Sequence, residues 1–366
     1  MPAVRACYWP AHCTIGLTSR QRHDTFSLIF YHREFNVTAT DDLAYQNLNP
    51  DAVLAAVESQ GHVCDGHLLI LNSYENRVYQ VGIDNGSALI AKFYRPGRWD
   101  DETILEEHAF SLELAAGEVS LIPPIQDPRD QTLFRHGGHR FALFPSCGGR
   151  PPNLEDPEHQ RQLGRFLGRL HAVGMTRRYA HRPVLDVDTF GVASVQFLLD
   201  NDFIPTDLEP AYRSLTEDLL QQVRWCYERA GPIELIRLHG DCHTGNILWT
   251  DDGPHLVDLD DSRTGPAIQD LWMFLSGDRQ DQESSLNTLL EGYSQFCEFS
   301  LRELHLIEAL RTLRMMHHYA WLARRWRDPA FPRAFPWFNS QRCWEQHILD
   351  LREQAPLMVE PPLATI

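Results

Sequence analysis

The hydrophobic and polar positions change their period several times along the chain, and each change predicts a different element. The first forty residues show no sustained period, so we expect residues 1–44 to form an extension of unknown role outside the fold. The stretch NPDAVLAAVESQG then carries helix signals, with Asn49 as N-cap, a proline at the first helical position and Gly61 as the stop. Two runs rich in β-forming residues follow over residues 67–94 and flank the Asp-Asn-Gly turn at 84–86. An antiparallel sheet is therefore predicted to begin the domain.

A helical period returns over residues 100–116, and the period separates four glutamates. When the residues are placed at 100° intervals, Glu102, Glu106 and Glu113 fall together on the polar side. Glu107 alone falls inside the apolar arc. Because an unpaired charge on the buried side of a helix is costly, Glu107 is expected to have a partner in the core.

A Gly- and Pro-rich connector near residues 145–152 predicts a domain boundary. We assign residues 45–147 to a first lobe built on the β-sheet with one helix, and residues 148–366 to a second lobe. The second lobe is helical in its patterning, except for one β-like segment from Ile236 to Leu259.

Composition and charge exclude several classes of protein. Fifty acidic residues against 33 basic ones give a formal charge of −17, which would repel nucleic acid and anionic lipid. The eight cysteines contain no C-x-x-C pair, and no apolar run approaches the ~20 residues of a membrane span. We therefore expect a cytoplasmic monomer without nucleic-acid or membrane partners.

The β-like segment, LHGDCHTGNILWTDDGPHLVDLDD, concentrates the residues that could carry chemistry. His239, Asp241, Cys242 and His243 could be interpreted as zinc ligands of a hydrolase, but five consecutive loop residues cannot easily surround a tetrahedral site. The alternative uses Asp241, Asn246 and Asp258, with a short hairpin that brings the last two together. Carboxylate and amide oxygens are the ligands that Mg²⁺ prefers.

This spacing resembles the catalytic loop and metal aspartate of kinase-like phosphotransferases, H-x-D-x-x-x-x-N followed by D-x-[GD]. HGDCHTGN with DLDD resembles the aminoglycoside phosphotransferase branch. Within that branch LNSYENRVYQV, KFYRPGRW, ILEEHAF, GPAIQDLWM and WLARRWRDPAFPRAFPW are similar to the bacterial stress response kinase A family, over roughly residues 45–363. The resemblance implies an α+β, bilobal protein-kinase-like fold, with a small antiparallel β-sheet lobe and a larger helical lobe.

The resemblance also implies roles for residues of the second lobe. Asp241 would be the base that accepts the proton of the acceptor hydroxyl, and Asn246 and Asp258 would hold Mg²⁺ between the phosphates of ATP. Asp260 would assist the metal, whereas Asp261 is interpreted as a cap or a solvated turn residue. Three residues are predicted to support the catalytic loop: His239, His243 and Asp270.

In the first lobe the ATP site would lack a G-x-G-x-x-G loop, and Ser73 in the turn NSYEN would contact ATP in its place. The segment Leu143 to Ser146, with Phe144, would be the hinge that binds adenine. Lys92 is the only lysine among the 33 basic residues and lies in an apolar strand. We predict that it pairs with Glu107 and contacts the α- and β-phosphates, a pocket that an arginine would fill poorly.

The acceptor stays open at this stage. Only about ten residues separate Asp258 from the next helix signal at Ile268, which leaves no room for a long activation loop. The family resemblance favours Ser/Thr hydroxyls of proteins, including the chain itself, in a stress response. A small-molecule kinase of the aminoglycoside, choline or homoserine kinase type, a nucleotide-binding pseudokinase and a zinc hydrolase are the alternatives.

Overall fold

The structure is a computed structural model that describes Tyr45, residues 47–71 and residues 73–365. The predicted extension over residues 1–44 lies outside the described residues. The described part has a small lobe built on one antiparallel sheet, followed by a larger lobe that is mainly helical. The predicted α+β, bilobal kinase-like fold is confirmed, whereas the boundary at residues 147–148 stays a prediction.

Within the described residues, the small lobe contains two α-helices and five strands, in the sheet order β1-β2-β3-β5-β4 with every pair antiparallel. In chain order they are α1 (Pro50–Glu58), β1 (Cys64–Leu71), β2 (Arg77–Ile83), β3 (Leu89–Phe93), α2 (Asp101–Ala116), β4 (Phe134–His136) and β5 (His139–Pro145). The Asn49 side chain caps α1 by accepting from Ala52 N at 2.9 Å, as predicted. Asn85, in the predicted turn between β2 and β3, has a positive φ of 54°.

Helix α2 lies between the sheet and the second lobe. The Asp100 side chain caps the helix by accepting from Thr103 N at 2.8 Å. Its buried side consists of Thr103, Ile104, Glu107, His108, Phe110, Ser111 and Leu114. The predicted apolar arc is therefore buried, and the buried glutamate is the one that the helical period singled out.

The larger lobe is built from eight α-helices and two short sheets among the described residues. In chain order the α-helices and strands are α3 (Pro157–Gly174), α4 (Ala193–Asp200), α5 (Glu209–Ala230), β6 (Ile236–Leu238), β7 (Ile247–Thr250), β8 (Gly253–Leu256), β9 (Arg263–Gly265), α6 (Ile268–Trp272), α7 (Arg279–Tyr293), α8 (Ile307–Arg325), α9 (Ala330–Ala334) and α10 (Gln341–Val359). β7 pairs with β8 as the predicted hairpin, and β6 pairs with β9. No helix in the described part of the chain is long and apolar enough to span a membrane.

Helices α3 and α7 pack at backbone contact. A Cβ added at Gly164 would lie 2.0 Å from the Leu289 carbonyl oxygen, and one added at Gly292 would lie 2.0 Å from the Arg161 carbonyl oxygen. Only glycine permits this approach, because any side chain would overlap the facing backbone. The contact fixes α3 beneath the loop that follows β6.

Candidate active site

Asp270, in the first turn of α6, holds the backbone of the loop after β6. Its carboxylate accepts from His239 N at 2.8 Å and from Gly240 N at 2.9 Å. Asp270 is fully buried, and His171 Nε2 of α3 lies 3.2 Å from the same carboxylate. Gly240 has a φ of +83°, so the loop turns there in the region that favours glycine. The predicted support by Asp270 is thus present as two charge-assisted hydrogen bonds.

The two histidines of the loop also contact its backbone. His239 Nδ1 accepts from Asp241 N at 3.2 Å, and its Nε2 lies 3.1 Å from Val257 O, so the ring proton is on Nε2. His243 Nδ1 accepts from Gly245 N at 3.0 Å, and its Nε2 lies 3.5 Å from Asp241 Oδ2. Both side chains therefore lie where the sequence predicted support for the loop.

Asp241, the predicted base, is partly buried and ion-paired. Arg314 Nη2 of α8 donates to Asp241 Oδ1 at 2.6 Å, and the side chains of the two residues are about one quarter exposed. Burial by itself raises the pKa of Asp241, but the charges of Arg314 and His243 outweigh burial and hold that pKa well below its usual range. The carboxylate is therefore ionised at neutral pH and can accept a proton.

Asn246 and Asp258 lie at the same end of the β7–β8 hairpin. Asn246 Nδ2 donates to Asp241 O at 2.9 Å, which fixes the amide, and Val257 N donates to Asn246 O at 3.0 Å. Asp258 has a left-handed backbone, with φ 61° and ψ 72°, and its side chain is about half exposed. A non-glycine residue in this conformation is uncommon and occurs often at functional sites.

These two residues fit a magnesium ion. Among the described residues, no three His, Cys, Asp or Glu side chains are grouped as a metal site of their own. Mg²⁺ is usually bound by one or two protein oxygens, with water and phosphate completing its shell, which suits an amide oxygen and a half-exposed carboxylate. One oxygen of the neighbouring Asp260, Oδ1, is buried and accepts no hydrogen bond, although Lys92 Nζ lies 3.5 Å from it.

Lys92 on β3 lies among three carboxylates. Its Nζ is 3.3 Å from Glu107 Oε1. The distances to Asp258 Oδ1 and Asp260 Oδ1 are 2.8 Å and 3.5 Å. Burial lowers the pKa of Lys92, but the three negative charges outweigh burial and raise it well above its usual range. The predicted pairing with Glu107 is present, and Lys92 also contacts Asp258 and Asp260.

Asp261 lies in a turn with its side chain about one third exposed, and its carboxylate is also ion-paired. Arg98 Nη2 lies 2.9 Å from Asp261 Oδ1, and Arg263 Nη2 lies 2.8 Å from the same oxygen. Arg98 also donates to Asp260 through Nη1. Arg263 is two positions from Asp261, whereas Arg98 is 163 positions away, so one of these two ion pairs is local and the other joins distant parts of the chain. Arg98, which follows β3, thereby joins the small lobe to the segment after Asp258.

The other predicted ATP contacts border the cleft side of the sheet. Ser73 Oγ accepts from Asn76 N at 3.3 Å and so stabilises the turn in which it lies. Ser146 Oγ accepts from Gln80 Nε2 at 2.9 Å, and Ser146 N donates to Ala88 O at 3.2 Å. That amide is therefore already engaged in the sheet, and Phe144 lies in strand β5, half-buried. Contacts of Ser73, Phe144 and Ser146 with ATP stay predictions.

Sequence reasoning did not identify Arg314 or Arg98. A signal for Arg314 existed: Arg314, His318, Trp321 and Arg325 recur at helical spacing within α8. Such a polar face on an otherwise buried helix indicates a surface that borders a site. For Arg98 the only signal was its place in the quoted segment KFYRPGRW.

Comparison with known proteins agrees with this geometry. Residues 67–307 match the model of the phosphotransferase enzyme family, APH. Stress response kinase A of Escherichia coli is 43% identical over 319 residues, covering 87% of this chain and 96% of the relative. The serine/threonine protein kinase RdoA of Salmonella typhimurium matches to the same extent.

Solved structures share the fold at low sequence identity. An amicoumacin kinase has a TM-score of 0.63 at 18% identity, covering 84% of this chain and 94% of that one. A microcompartment-associated aminopropanol kinase has a TM-score of 0.58 at 16% identity, covering 83% and 95%. The chain belongs to the APH phosphotransferase enzyme family and, within it, to the stress response kinase A family.

Proposed function

We propose that this protein transfers the γ-phosphoryl group of ATP, with Mg²⁺, to Ser and Thr hydroxyls of proteins, including its own. The observation that carries the proposal is the convergence of Asp241, Asn246, Asp258 and Lys92 at one cleft between the lobes. The names of the relatives support a kinase of the stress response, and one of them is named a serine/threonine protein kinase.

Each residue has a role that its surroundings support. Asp241 accepts the proton of the acceptor hydroxyl as the acceptor oxygen bonds to the γ-phosphorus, and ADP leaves as the bond to its β-phosphate oxygen breaks. Lys92, held by Glu107, contacts the phosphates and offsets their charge. Asn246 and Asp258, with Asp260 beside them, would hold Mg²⁺, which when bound neutralises charge on the phosphates.

The surroundings of the base support a neutral or anionic acceptor rather than a cationic one. Arg314 and His243 flank the Asp241 carboxylate, so an amine approaching the base would meet a positive charge first. This favours the hydroxyl of a protein side chain over an aminoglycoside or choline.

A small-molecule kinase is the second candidate, and a specific observation favours it. Only residues 259–267 separate Asp258 from α6, so the segment that positions protein acceptors in many kinases is absent. The fold neighbours named above are an amicoumacin kinase and an aminopropanol kinase.

The two candidates are separated by identifying the phosphorylated product. The purified protein is incubated with ATP and Mg²⁺ and analysed by mass spectrometry for phosphoserine and phosphothreonine, beside an ADP-release screen of amino alcohols and aminoglycosides. We expect phosphate on the protein itself, and none with Asp241→Asn, which lacks the base while keeping the ATP contacts. Transfer to a small molecule alone would support the second candidate, and retained transfer by Asp241→Asn would contradict the role of the base.

We also propose that the protein acts as a monomer in the cytoplasm. The six cysteines among the described residues are all free thiols, which suits a reducing compartment: Cys64, Cys147, Cys226, Cys242, Cys297 and Cys343. Light scattering of the purified protein tests the oligomeric state.

A further inference from the structure

The turn between β1 and β2, residues 73–76, lies where kinase folds place a glycine-rich loop, yet these four residues include no glycine. A turn with four side chains cannot approach phosphates by backbone flexibility alone. Two of its members are buried instead, with Glu75 9% and Asn76 2% exposed. Burial of a carboxylate in a turn is costly, so the environment of Glu75 indicates what the turn is built to do.

The Glu75 carboxylate is bound by donors from both lobes. From α8, the Trp321 indole N–H donates to Oε1, and Arg325 Nε lies 2.9 Å from Oε1 and 3.1 Å from Oε2. From the small lobe, Arg95 Nε lies 3.2 Å from Oε2. Arg98 Nε also lies 4.0 Å from Oε2, so three guanidinium groups and an indole compensate one buried carboxylate.

Arg95 provides a second connection between the turn and the larger lobe. Its Nε donates to the Glu75 carbonyl oxygen at 2.9 Å and its Nη2 to the Tyr74 carbonyl oxygen at 3.2 Å. Its Nη1 donates to Asp328 Oδ2, just after α8, at 2.7 Å. The backbone and the side chains of the turn are thus both tied to the end of α8.

The same helix reaches the base at its other end. Arg314, Trp321 and Arg325 are separated by seven and four residues, so they lie on one face of α8. Arg314 contacts Asp241, whereas Trp321 and Arg325 contact Glu75. At 1.5 Å per residue the two contacts are about 16 Å apart along the helix. One rigid element therefore spans the distance from the base to the turn.

We propose that Glu75 is a positioning residue that fixes the turn carrying Ser73 against α8. The phosphate-binding groups of this turn are then preorganised, although the turn has no glycine. The inference rests on the proposed function, because it takes this turn as the part of the protein that meets the phosphates of ATP. Preorganisation lowers the ordering cost of binding, so its loss weakens the ligand that uses the turn. Adenosine has no phosphates and does not use it.

The test compares the binding of ATP and adenosine by calorimetry, with Mg²⁺ present, for the wild type and Glu75→Gln. The glutamine keeps the size of the side chain but removes the charge that Arg95 and Arg325 bind. We expect ATP to bind about tenfold more weakly and adenosine to bind unchanged. An equal loss for both ligands would indicate a general structural defect and overturn the proposal, as would unchanged ATP affinity.

Two further variants keep the outcome decisive. Glu283→Gln removes a carboxylate that is ion-paired with Arg279 at 3.1 Å on α7, and we expect wild-type affinities for both ligands. If Glu75→Gln fails to fold, Trp321→Phe removes the indole donor while keeping an aromatic ring at the position, with an expected threefold loss for ATP. Unchanged ATP affinity in Trp321→Phe would then overturn the proposal. If the wild type binds ATP no more tightly than adenosine, the proposed function is contradicted. The assumption that this turn meets the phosphates of ATP is then contradicted as well.

Discussion

Replacing Arg314 by glutamine tests whether the charge beside the base sets its protonation. In the wild type, burial raises the pKa of Asp241, and Arg314, the strongest of the opposing charges, lowers it at a contact of 2.6 Å. Without Arg314, burial is opposed mainly by His243. The pKa of Asp241 is therefore expected to rise.

The magnitude follows from the contact. A hydrogen bond to a charged group contributes about 1.5–3 kcal/mol, and both side chains are only about one quarter exposed, so screening is incomplete. Loss of this contact should therefore move the pKa of Asp241 upward, toward its usual range. A depressed carboxylate pKa stabilises the folded state above the unfolded pKa, and the contribution is lost as the pH falls through the folded pKa. Arg314→Gln should therefore be less stable than the wild type at pH 7 by about 2 kcal/mol.

The assay is the pH dependence of kcat/KM for phosphate transfer, measured by ADP release from pH 4.5 to 8, beside urea unfolding at pH 7. The acid limb should move to higher pH in Arg314→Gln, and by a smaller amount in Arg314→Lys, which keeps the charge. Arg311→Gln is the matched control: it changes the same charge on the same helix, but Arg311 pairs with Glu308 at 3.0 Å. Coincident acid limbs for Arg314→Gln and Arg311→Gln would refute the reasoning.

Three other substitutions test separate parts of the structure. Lys92→Arg should lose most phosphate transfer, because three carboxylates lie within 3.5 Å of Lys92 Nζ and a planar guanidinium cannot contact all three from that position. Near-normal ADP release would contradict this. Asp258→Ala should remove the additional thermal stabilisation that Mg²⁺ gives to the ATP complex. If Mg²⁺ still raises the melting temperature of the ATP complex in a thermal-shift titration, the metal ligand lies elsewhere. Burial raises the pKa of Glu303 to about 7, although its carboxylate accepts a hydrogen bond from Ile268 N. Between about pH 4.5 and 7 the folded state therefore binds a proton that the unfolded state has lost. The folded state loses stability as the pH rises through that range. Glu303→Gln should therefore be more stable than the wild type by about 3 kcal/mol at pH 8 and equal to it at pH 4, and a difference that does not depend on pH would exclude this titration.

The sequence predicted those features that depend on local periodicity. Glu107 was identified because one helical turn places it among apolar residues, and Lys92 because a strand places it in an apolar row. Each implied a buried partner, and the two lie 3.3 Å apart. The hairpin that joins Asn246 to Asp258 was likewise predictable, since a short turn between two apolar runs leaves little choice of pairing.

The contacts that periodicity missed join residues far apart along the chain. Arg314 and Asp241 are 73 positions apart, and Glu75 and Trp321 are 246 positions apart. Nothing in a local window specifies such pairs, because the relative placement of α8 and the sheet depends on the packing of the whole chain. The same reason applies to the ion pair between Asp261 and Arg98, which are 163 positions apart.

The backbone contact between α3 and α7 has a genetic consequence. α3 carries His171 and α7 carries Tyr293, which lie 2.9 Å apart, and His171 in turn contacts Asp270. A methyl group at Gly164 would force the two helices apart at the Leu289 carbonyl oxygen and so disturb these contacts with the loop after β6. In a random screen for conditional alleles, alanine at Gly164 should therefore be recovered as a temperature-sensitive loss of function, although the position touches neither ATP nor acceptor.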